Sequence, residues 1–464
     1  MTGFSTGWQG PLRLADIVAA MSHALDMTEG LPAGHCLRCC WIGMQIGDGI
    51  DLTTTDRSHL YYTLLLKDAG CSSNAARLFE LYGADDRAVK SEFKRVDSDS
   101  VFQLGRFVLS HAGAGKAMHD RIHRLLDLAG HGEAYAHELI ATRCERGAEI
   151  VTQLGFDHPV ANGVRHLDEH WNGQGKPFGL RGEDIPMHAR IALLSQVIEV
   201  FHAAGGPAAA VSEVTKRSGH WFDPALVRAF VTRQAQPGFW AGLVEDGLQE
   251  RVTDLEPQAH AFAVDEDRLD RIAEAFARVV DAKSPFTYGH SNRVAAYAMA
   301  VSRVLGLTDL RQRWLYRAAL LHDIGKLGVS NSILDKPGRL DADEWEKVKL
   351  HASYSEQILS RLHVFDEMAR VAGAHHERLD GSGYPRGLSS AQITLETRII
   401  TVADIFDAIT AERPYRGAIP VDEALLIMER ERGTAIDERC LDALVQVLPE
   451  LAAAGHLNSP VRMR

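Results

Sequence analysis

The chain has 464 residues and a formal net charge of -12 at pH 7, with 45% hydrophobic and 24% charged residues. This length is too great for one ordinary core and the composition is that of a globular protein, so we expect two or three domains. The acidic balance argues against general binding of nucleic-acid polymers, and we find no run of eighteen apolar residues that would predict a membrane span. Residues 1–14 lack the basic start and apolar stretch of a signal peptide, so we expect a cytoplasmic protein.

Taken in chain order, the sequence repeats itself. Four segments of the first half recur in the same order in the second half: residues 34–38 as 289–293, 64–70 as 319–325, 169–177 as 377–385, and 219–223 as 433–437. Ordered matches over such a length indicate a duplicated domain rather than a short solenoid repeat. The spacing between the matched segments shrinks along the chain, which places extra residues of the first copy within 85–140.

Both copies have the apolar spacing of helices and little strand-type alternation. Residues 314–321 are one example, with apolar side chains recurring at helical intervals. We therefore predict an all-α fold made of tandem domains. The predicted boundaries are a first domain at 11–247, a linker with a proline and several charges at 248–264, and a second domain at 265–464.

The second copy holds a dense set of nitrogen and oxygen ligands. Its members are His290, His322, Asp323, His351, His375, His376 and Asp404. Imidazole combined with carboxylate suits iron, manganese or zinc, whereas a purely oxygen set would suit magnesium or calcium. Seven ligands are too many for one tetrahedral zinc. Two metal ions that share Asp323 as a bridge fit the set better, because this aspartate directly follows a histidine ligand.

Two stretches carry a specific resemblance. The first is His322-Asp323-Ile324-Gly325-Lys326, and the second runs from His375-His376-Glu377 through Asp380-Gly381 to Gly383-Tyr384-Pro385. Together they resemble the HD-GYP family, a branch of the HD metal-dependent phosphohydrolases, over residues 265–450. The resemblance implies an all-helical catalytic domain that binds two or three metals and hydrolyses the bacterial messenger cyclic di-GMP.

The family's metal ligands carry over by position to His322, Asp323, His351, His375, His376 and Asp404. His290 matches a further histidine that members with three metals use, but Phe286 stands where those members have a glutamate. We therefore expect two metals, iron or manganese, with His290 as a weak ligand or a support for the others. The family's phosphate-contacting lysine corresponds to Lys326, and its later cationic pair to Arg413 and Arg416, which can bind phosphate oxygens.

The resemblance also implies a mechanism with Asp323 and Lys326 as catalytic residues. Two metals lower the pKa of a water between them, and the resulting hydroxide attacks phosphorus in line. Lys326 and the metals offset the charge that develops on the phosphate, and the cyclic dinucleotide opens to a linear one. Tyr384 either stacks on a base of the substrate or packs the loop around Gly381 and Gly383.

The first copy has lost this site. Its counterparts of the ligands are Lys67 for His322, Arg143 for His351, Leu167 for His375, Asp168 for His376 and Gln196 for Asp404. Asp68 and His35 remain, and they cannot hold two metals. We expect Lys67 and Arg143 to place fixed positive charge where metals would sit, paired with Asp68 and Asp168. A degenerate copy of this kind is either regulatory or structural.

Three other functions compete with a cyclic-dinucleotide phosphodiesterase. The same metal site could act on another nucleotide or phosphate ester, or it could use dioxygen, although Lys326, Arg413 and Arg416 favour an anionic substrate. A messenger-binding regulator without turnover is the remaining class, and the complete ligand set argues against it. Among partners we expect a cyclic dinucleotide, neither a nucleic-acid polymer nor a membrane, and a homodimer is compatible with the sequence.

Overall fold

The fold is helical throughout the part of the chain that can be described. The structure is a computed structural model that describes residues 12–98, 100–114, 117–257 and 264–457. Helices make up 68% of the chain, and the described residues contain isolated β-bridges but no strand. The predicted all-α fold is therefore confirmed. The chain divides into two compact units, Gly10–Arg268 and Leu269–Arg464.

The first unit is built around α2. Its helices are α1 (Leu14–Thr28), α2 (His35–Asp48), α3 (Thr54–Leu66), α4 (Ala75–Tyr82), α5 (Asp86–Phe93), α6 (Val101–His111), α7 (Met118–Gln153), α8 (His158–Arg165), α9 (Met187–Lys216), α10 (Pro224–Gln234) and α11 (Leu248–Thr253). α2 packs against α1, α3, α9, α10 and α11, and most of its apolar residues, such as Ile42, Met44 and Ile46, are fully buried. This burial makes α2 the centre of the unit's core.

The second unit is organised around α13. Its helices are α12 (Glu266–Asp281), which begins just before the unit boundary, α13 (His290–Val304), α14 (Asp309–Leu321), α15 (Asn331–Leu334), α16 (Ala342–Leu359), α17 (Asp366–Ala372), α18 (Leu395–Thr410), α19 (Val421–Glu429) and α20 (Glu438–Ala453). α13 packs against α14, α18 and α20, while α16 packs against α17 and a 3₁₀ turn at Ile324–Gly328.

Capping residues fix where the helices of the second unit begin. Thr308 accepts a hydrogen bond from the backbone N–H of Arg311 at the start of α14, and Thr394 does the same at the start of α18. At α16, Asp341 and Glu344 form a capping box. Each such cap satisfies backbone donors that the first turn of a helix leaves unpaired.

A close backbone approach sets the distance between the 3₁₀ turn and α16. A Cβ atom at Gly325 would lie 2.0 Å from the backbone oxygen of His351, so only glycine fits there. In the first unit, a Cβ atom at Gly70 would lie 1.9 Å from the backbone oxygen of Arg143. In both units, therefore, a glycine allows the backbone of a 3₁₀ segment to approach the backbone of the long helix closely.

The extra residues of the first copy, predicted within 85–140, form α5, α6 and the first half of α7. α7, which carries Arg143, has 36 residues, whereas α16, which carries the matched residue His351, has 18. The two units thus share a core arrangement, and the first unit adds helices to it.

The predicted linker at 248–264 is wrong in its first part. Leu248–Thr253 forms α11, which packs on α1 and α2 of the first unit. Leu248 and Val252, four residues apart, are buried on one face of this helix, and that apolar spacing draws the segment into the core. Residues 258–263 lie outside the described part of the chain.

One helix among the described residues has the length and composition of a candidate membrane span. α9 contains an 18-residue window of mean hydropathy 1.2, and 56% of that window is buried within the protein. The helix is also interrupted at Gly205 and Gly206, where the backbone leaves helical geometry. A core helix passes the same test, so this is weak evidence for a span, and the expected lack of a membrane partner stays a prediction.

Candidate metal centre

The seven predicted ligands come together inside the second unit. His290 begins α13, His322 and Asp323 follow α14, His351 lies on α16, His375 and His376 follow α17, and Asp404 lies on α18. They form two groups, His351 with His375 and His376, and His290 with His322, Asp323 and Asp404. Within each group the ligand atoms lie within 4.8 Å of one another.

Asp323 lies between the two groups and presents one carboxylate oxygen to each. Its Oδ1 is 3.5 Å from Nε2 of His351 and 3.7 Å from Nε2 of His375. Its Oδ2 is 3.2 Å from Nε2 of His290 and 3.3 Å from Nε2 of His322. A carboxylate placed in this way could contact ions held by either group of histidines.

Backbone carbonyls fix the tautomers of three of the histidines. The Nδ1 atoms of His322, His351 and His375 lie 2.6, 2.6 and 2.5 Å from the carbonyl oxygens of Ala319, Val348 and Ala372, respectively. Because a carbonyl can only accept, each Nδ1 carries the proton and donates it, which leaves each neutral ring with a lone pair on Nε2.

The Nε2 atoms of His351 and His375 face each other, and neither can donate to the other because both rings carry the proton on Nδ1. Nε2 of His351 lies 3.3 Å from that of His375 and 3.0 Å from that of His376. Nε2 of His322 and Oδ1 of Asp323 are buried without a hydrogen-bond partner. Buried acceptors facing one another are costly unless a cation lies between them, so the residues present fit a metal centre.

The pKa shifts of the two groups differ. Burial, helped by His322 and His351, lowers the pKa of His375 to about 3, and burial also lowers the pKa of His351 and of His376. These three rings are therefore neutral at pH 7 and able to act as ligands.

The carboxylates of the centre remain ionised. Burial disfavours their charge, but Lys326 and His322 hold the pKa of Asp323 well below its usual range, and His290 and His322 do the same for Asp404. Burial likewise opposes protonation of His322, yet Asp323 and Asp404 raise its pKa to about 9, so this ring must release a proton before its Nε2 can bind a metal. The centre therefore combines two anionic carboxylates with imidazoles, a donor set suited to a divalent metal.

The predicted substrate-binding residues lie at different places around this centre. The Lys326 ammonium donates to Oδ2 of Asp323 and is 18% exposed. The Tyr384 ring stacks on His376, with centroids 4.8 Å apart and an interplanar angle of 30°. Tyr384 thus contacts the ligand cluster through its ring, while the loop conformation comes from the glycines beside it.

Arg413 and Arg416 pair across a short backbone bridge after α18. The Arg416 guanidinium donates to the carbonyl oxygens of Ala408, at 2.5 Å, and Ile409, at 2.8 Å, so it caps the end of that helix. Arg413 makes one longer bond, 3.4 Å, to the Ala408 carbonyl. Their contacts with a phosphate stay predictions. The Arg413 side chain makes fewer hydrogen bonds within the protein than that of Arg416 does.

Comparison with known proteins identifies the family. The HD domain family matches residues 120–226 and 274–440, one segment in each unit. The 3′3′-cGAMP-specific phosphodiesterase 3 of Vibrio cholerae is 50% identical over 95% of both chains. This chain belongs to the HD-GYP branch of the HD-domain family. The predicted enzyme class, a metal-dependent phosphodiesterase, is thereby confirmed.

Two further comparisons agree with this assignment. A cyclic di-GMP phosphodiesterase of Thermotoga maritima is 34% identical over 44% of this chain and 56% of its own length. A crystal structure of a cyclic GMP-AMP specific phosphodiesterase from V. cholerae superimposes with a TM-score of 0.66 at 46% identity, covering 95% of this chain and 98% of that one.

Asp407 is a site residue that the sequence reasoning missed in this HD-GYP protein. Its Oδ2 accepts from Nδ1 of His290 at 2.7 Å, and its Oδ1 accepts from Arg293 at 2.6 Å. Both contacts fix the orientation of His290. The available signal was its position one helical turn after Asp404, on the same face of α18.

We expect Asp407→Asn to lower phosphodiesterase activity by about 10- to 100-fold, because it loosens a residue that orients a ligand without removing the ligand itself. Steady-state turnover measured beside the metal content checks this. Asp343→Asn, an exposed position on α16, is the control. Activity within twofold of the parent protein would contradict the assigned role.

In the first unit, the positions matched to the ligands by sequence form ion pairs. The Lys67 ammonium bonds Asp68 and lies 3.2 Å from Oε1 of Gln196, and Arg143 pairs with Asp168. The Lys67 side chain is fully buried and that of Arg143 is 17% exposed. The predicted pairing of both cations is confirmed.

A histidine-carboxylate pair also recurs in the first unit. Nδ1 of His35 lies 2.5 Å from Oε2 of Glu199, and Arg38 donates to Oε1 of Glu199 at 2.6 Å. These contacts repeat those of His290 and Arg293 with Asp407. Both units therefore contain a buried histidine and an arginine that share one carboxylate.

The stability of the first unit should depend on pH through Glu199. Burial opposes its ionisation, but His35 and Arg38 lower its pKa to about 2, below its ordinary value near 4.5. A carboxyl whose folded pKa is depressed stabilises the fold above about pH 4.5, and this contribution is lost as the pH falls toward 2.

We expect Glu199→Gln to lower the free energy of unfolding by about 3 kcal/mol at pH 7, and by about half of that or less at pH 3. Denaturant unfolding of both proteins over this pH range measures the difference. A stability difference that stays constant from pH 7 to pH 3 would exclude the ionised pair as its cause.

Proposed function

We propose that this protein hydrolyses 3′3′-cGAMP to a linear dinucleotide. The observation that carries the proposal is the 50% identity with a 3′3′-cGAMP-specific phosphodiesterase over 95% of both chains, combined with a complete ligand set in the second unit. The sequence resemblance implied cyclic di-GMP, and the proposed substrate is a different cyclic dinucleotide.

We also propose that the centre is binuclear and holds iron or manganese. His351, His375 and His376 would hold one ion, His290, His322 and Asp404 would hold the other, and Asp323 would bridge them. When bound, such ions activate a water nucleophile and offset the negative charge of the phosphate. The two oxygens of Asp323, facing opposite groups of histidines, support this division.

The chain's own residues would position the messenger. Lys326, held beside Asp323, would bind a non-bridging phosphate oxygen through a charge-assisted hydrogen bond. Arg413 is available for a second phosphate oxygen. Tyr384 keeps one face on His376, and its other face could take a base by stacking. Together these contacts would hold the phosphodiester beside the ligand cluster.

The test is turnover by the full chain purified without oxygen and reconstituted with iron or manganese. We expect close to two metal ions per chain and hydrolysis of 3′3′-cGAMP with a kcat/KM at least about tenfold above that for cyclic di-GMP. Tenfold corresponds to about 1.4 kcal/mol of differential transition-state binding, which one lost hydrogen bond to a base can supply.

A second candidate substrate is cyclic di-GMP. Relatives named for it match less than half of this chain, such as the response regulator RpfG of Xanthomonas campestris, which is 37% identical over 43% of this chain. A kcat/KM for cyclic di-GMP equal to or above that for 3′3′-cGAMP would favour this candidate. Metal binding without turnover of either messenger would favour the non-catalytic regulator or another phosphate ester.

We further propose that the first unit is a degenerate copy of the catalytic unit. The family match in each unit and the recurrence of the His35–Glu199 and His290–Asp407 contacts support this. The cytoplasmic location, the lack of a nucleic-acid partner and a homodimer stay predictions.

A further inference from the structure

The first unit contains a cavity of about 800 Å³, at the upper end of the range for small-molecule sites. Arg143, Asp168 and Gln196 line one part of it, and these are the positions that correspond to the metal ligands His351, His376 and Asp404. The cavity thus opens onto the place where the second unit has its metal centre. We call this part the floor of the cavity.

The added helices supply most of the walls. Phe93 on α5, Leu104, Phe107 and Val108 on α6, and Leu128 on α7 all face the cavity. Between its 3₁₀ turn and α16, the described part of the second unit has only the short helix α15, so these walls are particular to the first unit. The insertion has converted the region over the lost site into a chamber with apolar and aromatic walls.

The charges at the floor are already paired. Lys94 lies 2.8 Å from Oε2 of Glu29 and 3.4 Å from Oδ1 of Asp68, and Arg143 pairs with Asp168. A ligand with two phosphates would have to displace these buried partners, at the cost of leaving carboxylates unpaired. The floor therefore disfavours a cyclic dinucleotide.

Lys176 differs from the cations of the floor. Its side chain is 28% exposed, and its Nζ lies 3.9 Å from Oε1 of the exposed Glu133. Both residues line the cavity. An anionic group of a ligand could pair with Lys176 here without disturbing a buried ion pair.

The cavity is open to solvent, and it combines apolar and aromatic walls with one cation that is not buried. This is the composition of a small-molecule site. We propose that the first unit binds an amphipathic small molecule, with an apolar or aromatic body inside the cavity and a single anionic group at Lys176. This gives the degenerate unit a ligand site that is chemically distinct from the catalytic one.

The test uses two fluorescent probes and the full-length protein. Anilinonaphthalene sulfonate has an aromatic body and one negative charge, and N-phenylnaphthylamine has nearly the same body without the charge. We expect each probe to bind at one saturable site. Val108→Trp fills the cavity and should weaken both probes at least tenfold, whereas Val101→Trp, on the same helix but 86% exposed and outside the cavity lining, should change neither more than twofold.

Lys176→Gln tests the contribution of the ligand's negative charge separately from that of its apolar body. It should weaken the anionic probe at least threefold and leave the neutral probe unchanged. Leu104→Trp, a second cavity-filling change, guards against a folding defect in Val108→Trp. Affinities for both probes that survive both tryptophan variants would overturn the proposal. Displacement of the probes by 3′3′-cGAMP, tested in an Asp323→Asn background that cannot turn it over, would overturn the assigned ligand class.

Discussion

Replacing Asp323 by asparagine is expected to lower kcat for the cyclic dinucleotide by at least about 1,000-fold, since the amide nitrogen cannot serve as a ligand oxygen and the residue loses its charge. Asp323 contacts both groups of histidines, so this one change affects both proposed metal positions. We expect the metal content to fall from about two ions per chain to one or none. Turnover and elemental analysis of the same preparation measure both effects.

Asp422→Asn, an exposed position on α19, is the matched control and should keep full metal content and activity. Circular dichroism should show that both variants stay helical. If Asp323→Asn kept two metal ions and lost less than tenfold in kcat, then Asp323 would not be the bridge, and the division of ligands between the two ions would be wrong.

The second large effect is expected in the first unit. Lys67→Met should lower its free energy of unfolding by roughly 3–5 kcal/mol, because it removes the partner of a fully buried carboxylate. Asp68 would keep only Lys94, at 3.4 Å, and the surrounding cysteines and His35. Denaturant unfolding measures the change, and Lys216→Met, 60% exposed in the same unit, should alter stability by less than about 0.5 kcal/mol.

A double variant distinguishes pairing from packing. Lys67→Met combined with Asp68→Leu removes both charges, and Lys94 keeps Glu29 at 2.8 Å. We expect the double variant to be more stable than Lys67→Met alone, since replacing a buried ion pair by apolar residues costs less than leaving one charge unpaired. A double variant less stable than Lys67→Met would mean that the aspartate is needed for another reason.

Asp407 and Arg416 illustrate what sequence reasoning could not reach. Asp407 lies one turn from a predicted ligand, but its function depends on His290, which arrives from a helix more than a hundred residues earlier. Arg416 matches by position a phosphate-binding cation of the family, which stays a prediction. The sequence did not reveal that its guanidinium satisfies carbonyls at the end of α18, which have no partner within the helix. The Asp407 contact comes from packing between distant segments, whereas the Arg416 contacts depend on the chain folding back onto the end of α18.

The sequence by itself determined the helical class and the residue types of the candidate metal centre, and it predicted the duplication. These follow from local information, namely apolar spacing along helices and the order of imidazoles and carboxylates within short motifs. It also predicted that Lys67 and Arg143 replace metal ligands with charge, because each substitution is visible at a matched position.

Only the tertiary structure decided how these groups face one another. The convergence of the Nε2 atoms depends on carbonyls of three separate helices, α14, α16 and α17. The position of Asp323 between the histidines depends on the packing of α13, α16 and α18. The cavity of the first unit likewise forms between α5, α6 and α7 on one side and residues 168–176 and 193–197, which lie later in the chain, on the other. Contacts between segments far apart in the chain are set by packing of the whole domain, which no short motif encodes.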